Sequence, residues 1–133
     1  MAKLTIRSGF SLETSNPKII ETVRSCLYEM NRVEEINIAT IPRRILEIFR
    51  DLPKSAPQNH TLCIRSHSLR SAKTAFPIHD DFLYDTERLR RVELINCNIS
   101  WDSRLLTGLT RLTLENSLKA NSLIIQFLHA CLH

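Results

Sequence analysis

One stretch limits the fold more than any other: Leu89-Arg-Arg-Val92-Glu-Leu94-Ile-Asn-Cys97-Asn-Ile99. Its apolar residues alternate across Val92 and Leu94, as on a strand with one buried face, and Leu89 precedes them by a fixed step. Half of the unit returns twenty residues later as Leu109-Thr-Arg-Leu112-Thr-Leu114. Upstream, looser copies run Met1-x-x-Leu4-x-Ile6, Val33-x-x-Ile36-x-Ile38 and Asn59-x-x-Leu62-x-Ile64-x-x-His67-x-Leu69, the last with a polar residue in its first slot. Strand anchors then fall at Leu4, Ile36, Leu62, Val92 and Leu112, spaced 32, 26, 30 and 20. A unit this short cannot bury its apolar face alone, so copies must stack and share one core.

The intervals carry helical periodicity. After Asn16-Pro17, residues Ile19, Val23, Cys26, Leu27 and Met30 recur on one helical face, with Asn16 placed to cap and Pro17 at the first position. Pro42 to Leu52 sets Ile45, Phe49 and Leu52 on one side, and Pro53 stops the helix. A third helix is expected after Asn121, with Ile124, Phe127, Leu128 and Cys131 facing inward. Alternating strand and helix is the order of a parallel sheet with crossover connections. The pattern L-x-x-L-x-L-x-x-[N/C]-x-L is that of the leucine-rich repeat. The fold class expected is therefore α/β: an irregular leucine-rich-repeat solenoid of about five parallel strands with helices on the convex side. Residues 1–133 read as one such domain, expected to be a fragment of a longer solenoid.

Bulk properties agree and exclude several classes. The 133 residues fit one core, and 43% hydrophobic with 24% charged residues is ordinary globular composition. No apolar run follows Lys3 as in a secretory signal, and none is long enough to span a bilayer. An intracellular, cytoplasmic or nuclear protein with no membrane partner is the expectation. The four cysteines (Cys26, Cys63, Cys97, Cys131) lack the close pairs of zinc sites, so they are read as small buried groups. Cys97 is expected to help close the turn after its strand.

No cofactor or metal is expected, and no catalytic residue is nominated. His79-Asp80-Asp81 offers metal-like side chains, but neighbours on an extended chain point apart. Cys131 and His133 supply only two of a zinc ion's four ligands. Two isolated glycines, Gly9 and Gly108, build no phosphate loop, and no nucleophile motif accompanies the five histidines. A net charge of +4 allows an acidic partner. Arg43, Arg44, Arg50 and Lys54 form one basic group and Arg88, Arg90 and Arg91 another. Acidic neighbours dilute both and no aromatic interleaves them, so a surface for nucleic acid or acidic membrane is the lesser alternative. Trp101 is expected to pack under its loop, with Asp102 or Ser103 capping a short turn.

The segment LRRVELINCNISWDSRLLTGLTRLTLENS, residues 89–117, resembles the repeat region of the F-box/leucine-rich-repeat proteins of mushroom-forming fungi. The shared pattern is a strand, Cys97, Ile99, Trp101-Asp102-Ser103, Leu105-Leu106, then Gly108-Leu109-Thr110 leading into the next strand. Ala56-Pro57 before the third strand is similar to the same group. The resemblance implies a protein-interaction module, the substrate-recognition repeats of a ubiquitin-ligase adaptor. The group's F-box docks on Skp1. Nothing before Leu4 matches an F-box, so a Skp1-type partner is expected only where one lies upstream. The alternative is an incomplete gene product without independent function.

A partner would meet the outward positions of the strands. In template register these are Lys3, Glu35, Thr61, Arg91 and Arg111; then Thr5, Asn37, Cys63, Glu93 and Thr113; then Arg7, Ala39, Arg65, Ile95 and Glu115. The candidate binding residues on this concave face are Arg7, Arg65, Arg91, Glu93, Arg111 and Glu115. Solvation of the sheet alone would explain the same polar columns, and they carry no aromatic anchor.

Overall fold

The computed structural model describes residues 4–9, 17–67, 75–116 and 121–125. Six strands form one sheet: β1 (Leu4–Gly9), β2 (Val33–Thr40), β3 (Thr61–Ser66), β5 (Arg91–Ile95), β7 (Arg111–Asn116) and β8 (Asn121–Ile125), in that spatial order. The first five are mutually parallel. Two further strands, β4 (Phe76–Ile78) and β6 (Cys97–Ile99), pair in parallel with each other. The α/β class and the parallel sheet are therefore as the sequence suggests.

Alternation decides which way each strand faces. Ile36, Ile38, Leu62, Ile64, Val92, Leu94 and Leu112 are all buried, each removal from water contributing on the order of 1.5–3 kcal/mol. The residues between them stay half-buried or exposed, apart from buried Cys63. One column at the strand entries is apolar save for one member: Val33, Asn59, Leu89 and Leu109 are all buried. Backbone bonds tie these entries together, His60 N–H to Glu34 C=O at 2.9 Å, Arg90 to His60 at 3.0 Å and Thr110 to Arg90 at 2.7 Å. At the exits, Asn96 Nδ2 donates to Ser66 C=O at 3.0 Å and its N–H to Glu115 C=O at 2.7 Å. The connections pair as well, through β4 with β6 and through Ala56 and Tyr84.

Helix α1 (Pro17–Leu27) packs against β1 and α2 (Pro42–Phe49) against β2. Pro17 and Pro42 both open their helices, where the missing N–H has no partner to lose. Arg24 of α1 reaches the far end of α2, its guanidinium donating to the carbonyls of Glu47, Ile48 and Arg50. The connection between β5 and β7 has no such helix. It carries a single 3-10 turn, Arg104–Leu106, whose Leu105 N–H is capped by Ser103 Oγ at 3.3 Å.

Five expectations are corrected. In β1, Ile6 and not Leu4 is level with Ile36, because the pairing shifts between Leu4 and Thr5. Every outward residue of β1 therefore moves two places, and the spacings become 30, 26, 30 and 20. Asn121–Ile125, expected to open a helix, is strand β8, with β-branched Ile124 and Ile125, antiparallel to β7. In α1 the inward residue is Ile20, while Ile19 is 39% exposed; the helical stripe holds Ile20, Val23 and Leu27, at steps of three and four. Helix α2 ends at Phe49, before Leu52: Arg50 is already extended, with a ψ of 132°, and Asp51 follows with a φ of 57°. Trp101 is 59% exposed, not packed under its loop, because buried Leu105 and Leu106 fill that space. Asn16, Phe127, Leu128, His129, Cys131 and His133 lie outside the described residues.

Candidate functional site

The face of the sheet opposite α1 and α2 carries no helix among the described residues, and on it the register makes three rows. At the entry edge stand Thr5, Glu35, Thr61, Arg91 and Arg111. The middle row is Arg7, Asn37, Cys63, Glu93 and Thr113, and the exit row Gly9, Ala39, Arg65, Ile95 and Glu115. The sequence-derived columns stand for four strands. Arg7 alone among the nominated residues changes row, from the level of Arg65 to that of Glu93, a consequence of the shift in β1. It also lies three strands from Glu93, roughly 14 Å at about 4.8 Å per strand.

The other five nominated residues lie on β3, β5 and β7, and two of them engage each other. Arg65 Nη2 is 3.4 Å from Glu93 Oε1, and the second carboxylate oxygen accepts from Cys63 Sγ at 3.4 Å. Burial pushes the Cys63 thiol up to about 11, with the Glu93 carboxylate adding to the rise. Cys97, whose thiol donates to Ile95 C=O at 3.4 Å, is pushed up to about 12 by burial and then by Cys63. Both thiols therefore stay protonated near neutrality, which makes them poor nucleophiles and poor ligands. Cys63 was visible as a column member, but nothing in the sequence marks it as a donor to Glu93.

Arg91 and Arg111 are paired in register and both exposed. Neither makes an ion pair among the described residues. Glu115, at the exit edge of β7, is likewise exposed and unpaired there. Half-buried Thr113 separates Arg111 from Glu115 along β7, and Ile95 stands level with Glu115. No aromatic residue stands in the described rows.

The basic groups off this face are engaged in part. Arg44 pairs with Glu47 at 2.7 Å and Lys54 with Asp81 at 3.6 Å. Arg88 donates to Gln58 Oε1 at 2.9 Å, and Arg90 to the Glu87 and Leu89 carbonyls. Asp81 so belongs to a surface ion pair, and among the described residues no group of three His, Cys, Asp or Glu could hold a metal. Two concavities escaped the sequence reading because each joins distant segments. One of about 500 Å³ lies between Tyr84–Glu87 and Arg104–Gly108; a more apolar one of about 350 Å³ runs between α2 and the Phe76–Phe82 stretch. Among the described residues no helix is long and apolar enough to cross a membrane.

No protein-family profile, curated protein or solved structure matches the chain.

Proposed function

We propose that this chain is a protein-interaction module, an irregular leucine-rich-repeat solenoid that engages its partner through the open face of the parallel sheet. The observation that carries this reading is the placement of Arg91 and Arg111. Like charges side by side on neighbouring strands cost stability, and the fold holds these two exposed without an acidic neighbour engaging them. A binding surface accounts for such a cost; solvation of the sheet does not require it. The in-register rows and the repeated entry bonds support the solenoid reading, because stacked repeats offer a continuous surface of exposed positions.

Within that class, the likeness of residues 89–117 to F-box/leucine-rich-repeat proteins supports a narrower role. The repeats would select the substrate of an intracellular ubiquitin ligase, with a Skp1-type subunit as partner where an F-box lies upstream. Affinity purification of the tagged chain beside its Arg91→Glu/Arg111→Glu variant tests the binding face. Proteins lost from the variant at unchanged thermal stability are the expected result. An identical set of bound proteins from both chains sinks the reading.

A further inference from the structure

The charges on the open face are sorted, and the sorting specifies the chemistry of what binds there. Arg65 and Glu93 form an ion pair at 3.4 Å. That leaves Arg91 and Arg111 at the entry edge, and Glu115 at the exit edge, as exposed charges of β5 and β7 without an ion pair among the described residues. Neighbouring strands stand about 4.8 Å apart, so the two guanidinium groups can share one anionic cluster. From Arg111 to Glu115 is four residues along β7, about 13 Å at roughly 3.3 Å per residue. Between them lie half-buried Thr113 and, beside it on β5, Glu93, whose carboxylate Arg65 engages; Ile95 stands level with Glu115.

We infer that the face takes a bipolar extended segment of a partner protein lying along β7, with a carboxylate shared by Arg91 and Arg111 and a basic side chain over Glu115. In an extended peptide alternate side chains share a face, so residues four apart reach both ends of this row. The intervening inward residue must be small and uncharged to rest on Thr113 beside the Arg65-paired Glu93. A nucleic acid fits poorly: its unbroken negative charge meets Glu93 and Glu115, and the described rows have no aromatic ring on which a base could stack. A uniformly acidic peptide meets the same repulsion at the exit edge. Electrostatic complementarity of this kind fixes orientation and rejects wrong partners more than it adds affinity.

The inference rests on the open-face reading and is tested with defined probes against the whole chain by amide NMR titration. The probes are a short Gly/Ser peptide bearing one Asp with a Lys four residues on, the same peptide with Asp in place of the Lys, and a single-stranded oligonucleotide. The bipolar peptide is expected to shift the amides of Arg91, Arg111 and Glu115 and to bind roughly fivefold tighter than the all-acidic one, the scale of one exposed ion pair. In Glu115→Lys the order of the two peptides should reverse. Tightest binding by the oligonucleotide, an unchanged order in Glu115→Lys, or no shifts at these amides overturns the inference. The affinity-purification comparison does not depend on these peptides, so the open-face reading stands or falls separately.

Discussion

Asn59 is the residue that fits its place least well on paper, and in the fold its amide nitrogen is bonded twice while its Oδ1 is buried without a partner among the described residues. It fills the entry column otherwise held by Val33, Leu89 and Leu109, and it is wholly buried. Its Nδ2 donates to Glu34 C=O at 3.2 Å and Thr61 C=O at 3.1 Å, so the amide joins two strand entries where its counterparts are apolar. The template reading placed Asn59 in this column but could not say why a polar group is tolerated, since the carbonyls it meets come from residues 25 positions back and two ahead. Asn59→Leu restores the apolar column yet strips both carbonyls of this donor. Chemical denaturation should show a loss of about 1–3 kcal/mol; a stabilised variant would mean that the hydrogen bonds contribute nothing net. Buried Cys63 and half-buried Cys97 make a second prediction, in pH. Folding raises Cys63 to about 11 and Cys97 to about 12, against an ordinary 9.0. Above pH 9 the unfolded chain releases thiol protons that the folded chain retains, so stability is full below that pH and falls as pH rises through 11 to 12. The Cys63→Ala/Cys97→Ala chain should lose less stability between pH 9 and 11 in urea titrations; a slope equal to that of the unmutated chain contradicts the assignment.

At the scale of elements, sequence periodicity identified what repetition controls and missed what single connections control. Parallel strands β2, β3, β5 and β7 were legible because apolar alternation recurs at a recognisable template. Strand β1 was legible as a strand but not in register, because a shift between Leu4 and Thr5 leaves no trace in the apolar pattern, which reads Leu4-x-Ile6 either way. Strand β8 was misread, since Ile124 with Phe127 and Leu128 satisfies a helical period as well as a strand does, and only pairing with β7 decides. The clamp between helices was invisible for a similar reason. Arg24 looks like one more exposed charge on α1, whereas it places a cation on the last carbonyls of α2, where the helix dipole is negative. Arg24→Met keeps the aliphatic stem and removes that contact. Thermal unfolding should report a loss of about 1–2 kcal/mol, the range for a charge at a partly buried helix end. An unchanged midpoint would show the guanidinium to be solvated in solution.

For the whole molecule, the buried and open faces of the sheet answer to different physics. The buried face was legible nearly residue by residue, because burial follows hydrophobicity. The open face was legible as columns, yet which charges engage each other was not, since Arg65 and Glu93 meet across two strands and in adjacent rows. That pairing leaves Arg91 and Arg111 side by side, and the proposed binding role then sets stability against function. A single reversal, Arg91→Glu, turns a repelling neighbour of Arg111 into an attracting one. The chain should become more stable by about 0.2–1 kcal/mol, the range of cross-strand charge pairs. The gain should shrink in high salt, because both side chains are exposed and screened. Partner capture should fall in the same variant, since half of the cationic site is gone. Denaturation midpoints at low and high salt, with capture measured alongside, separate the possibilities. Higher stability with weaker capture is what a surface shaped for binding gives. Lower stability at both salt concentrations would instead show that Arg91 supports the fold, and the argument from its cost would fail.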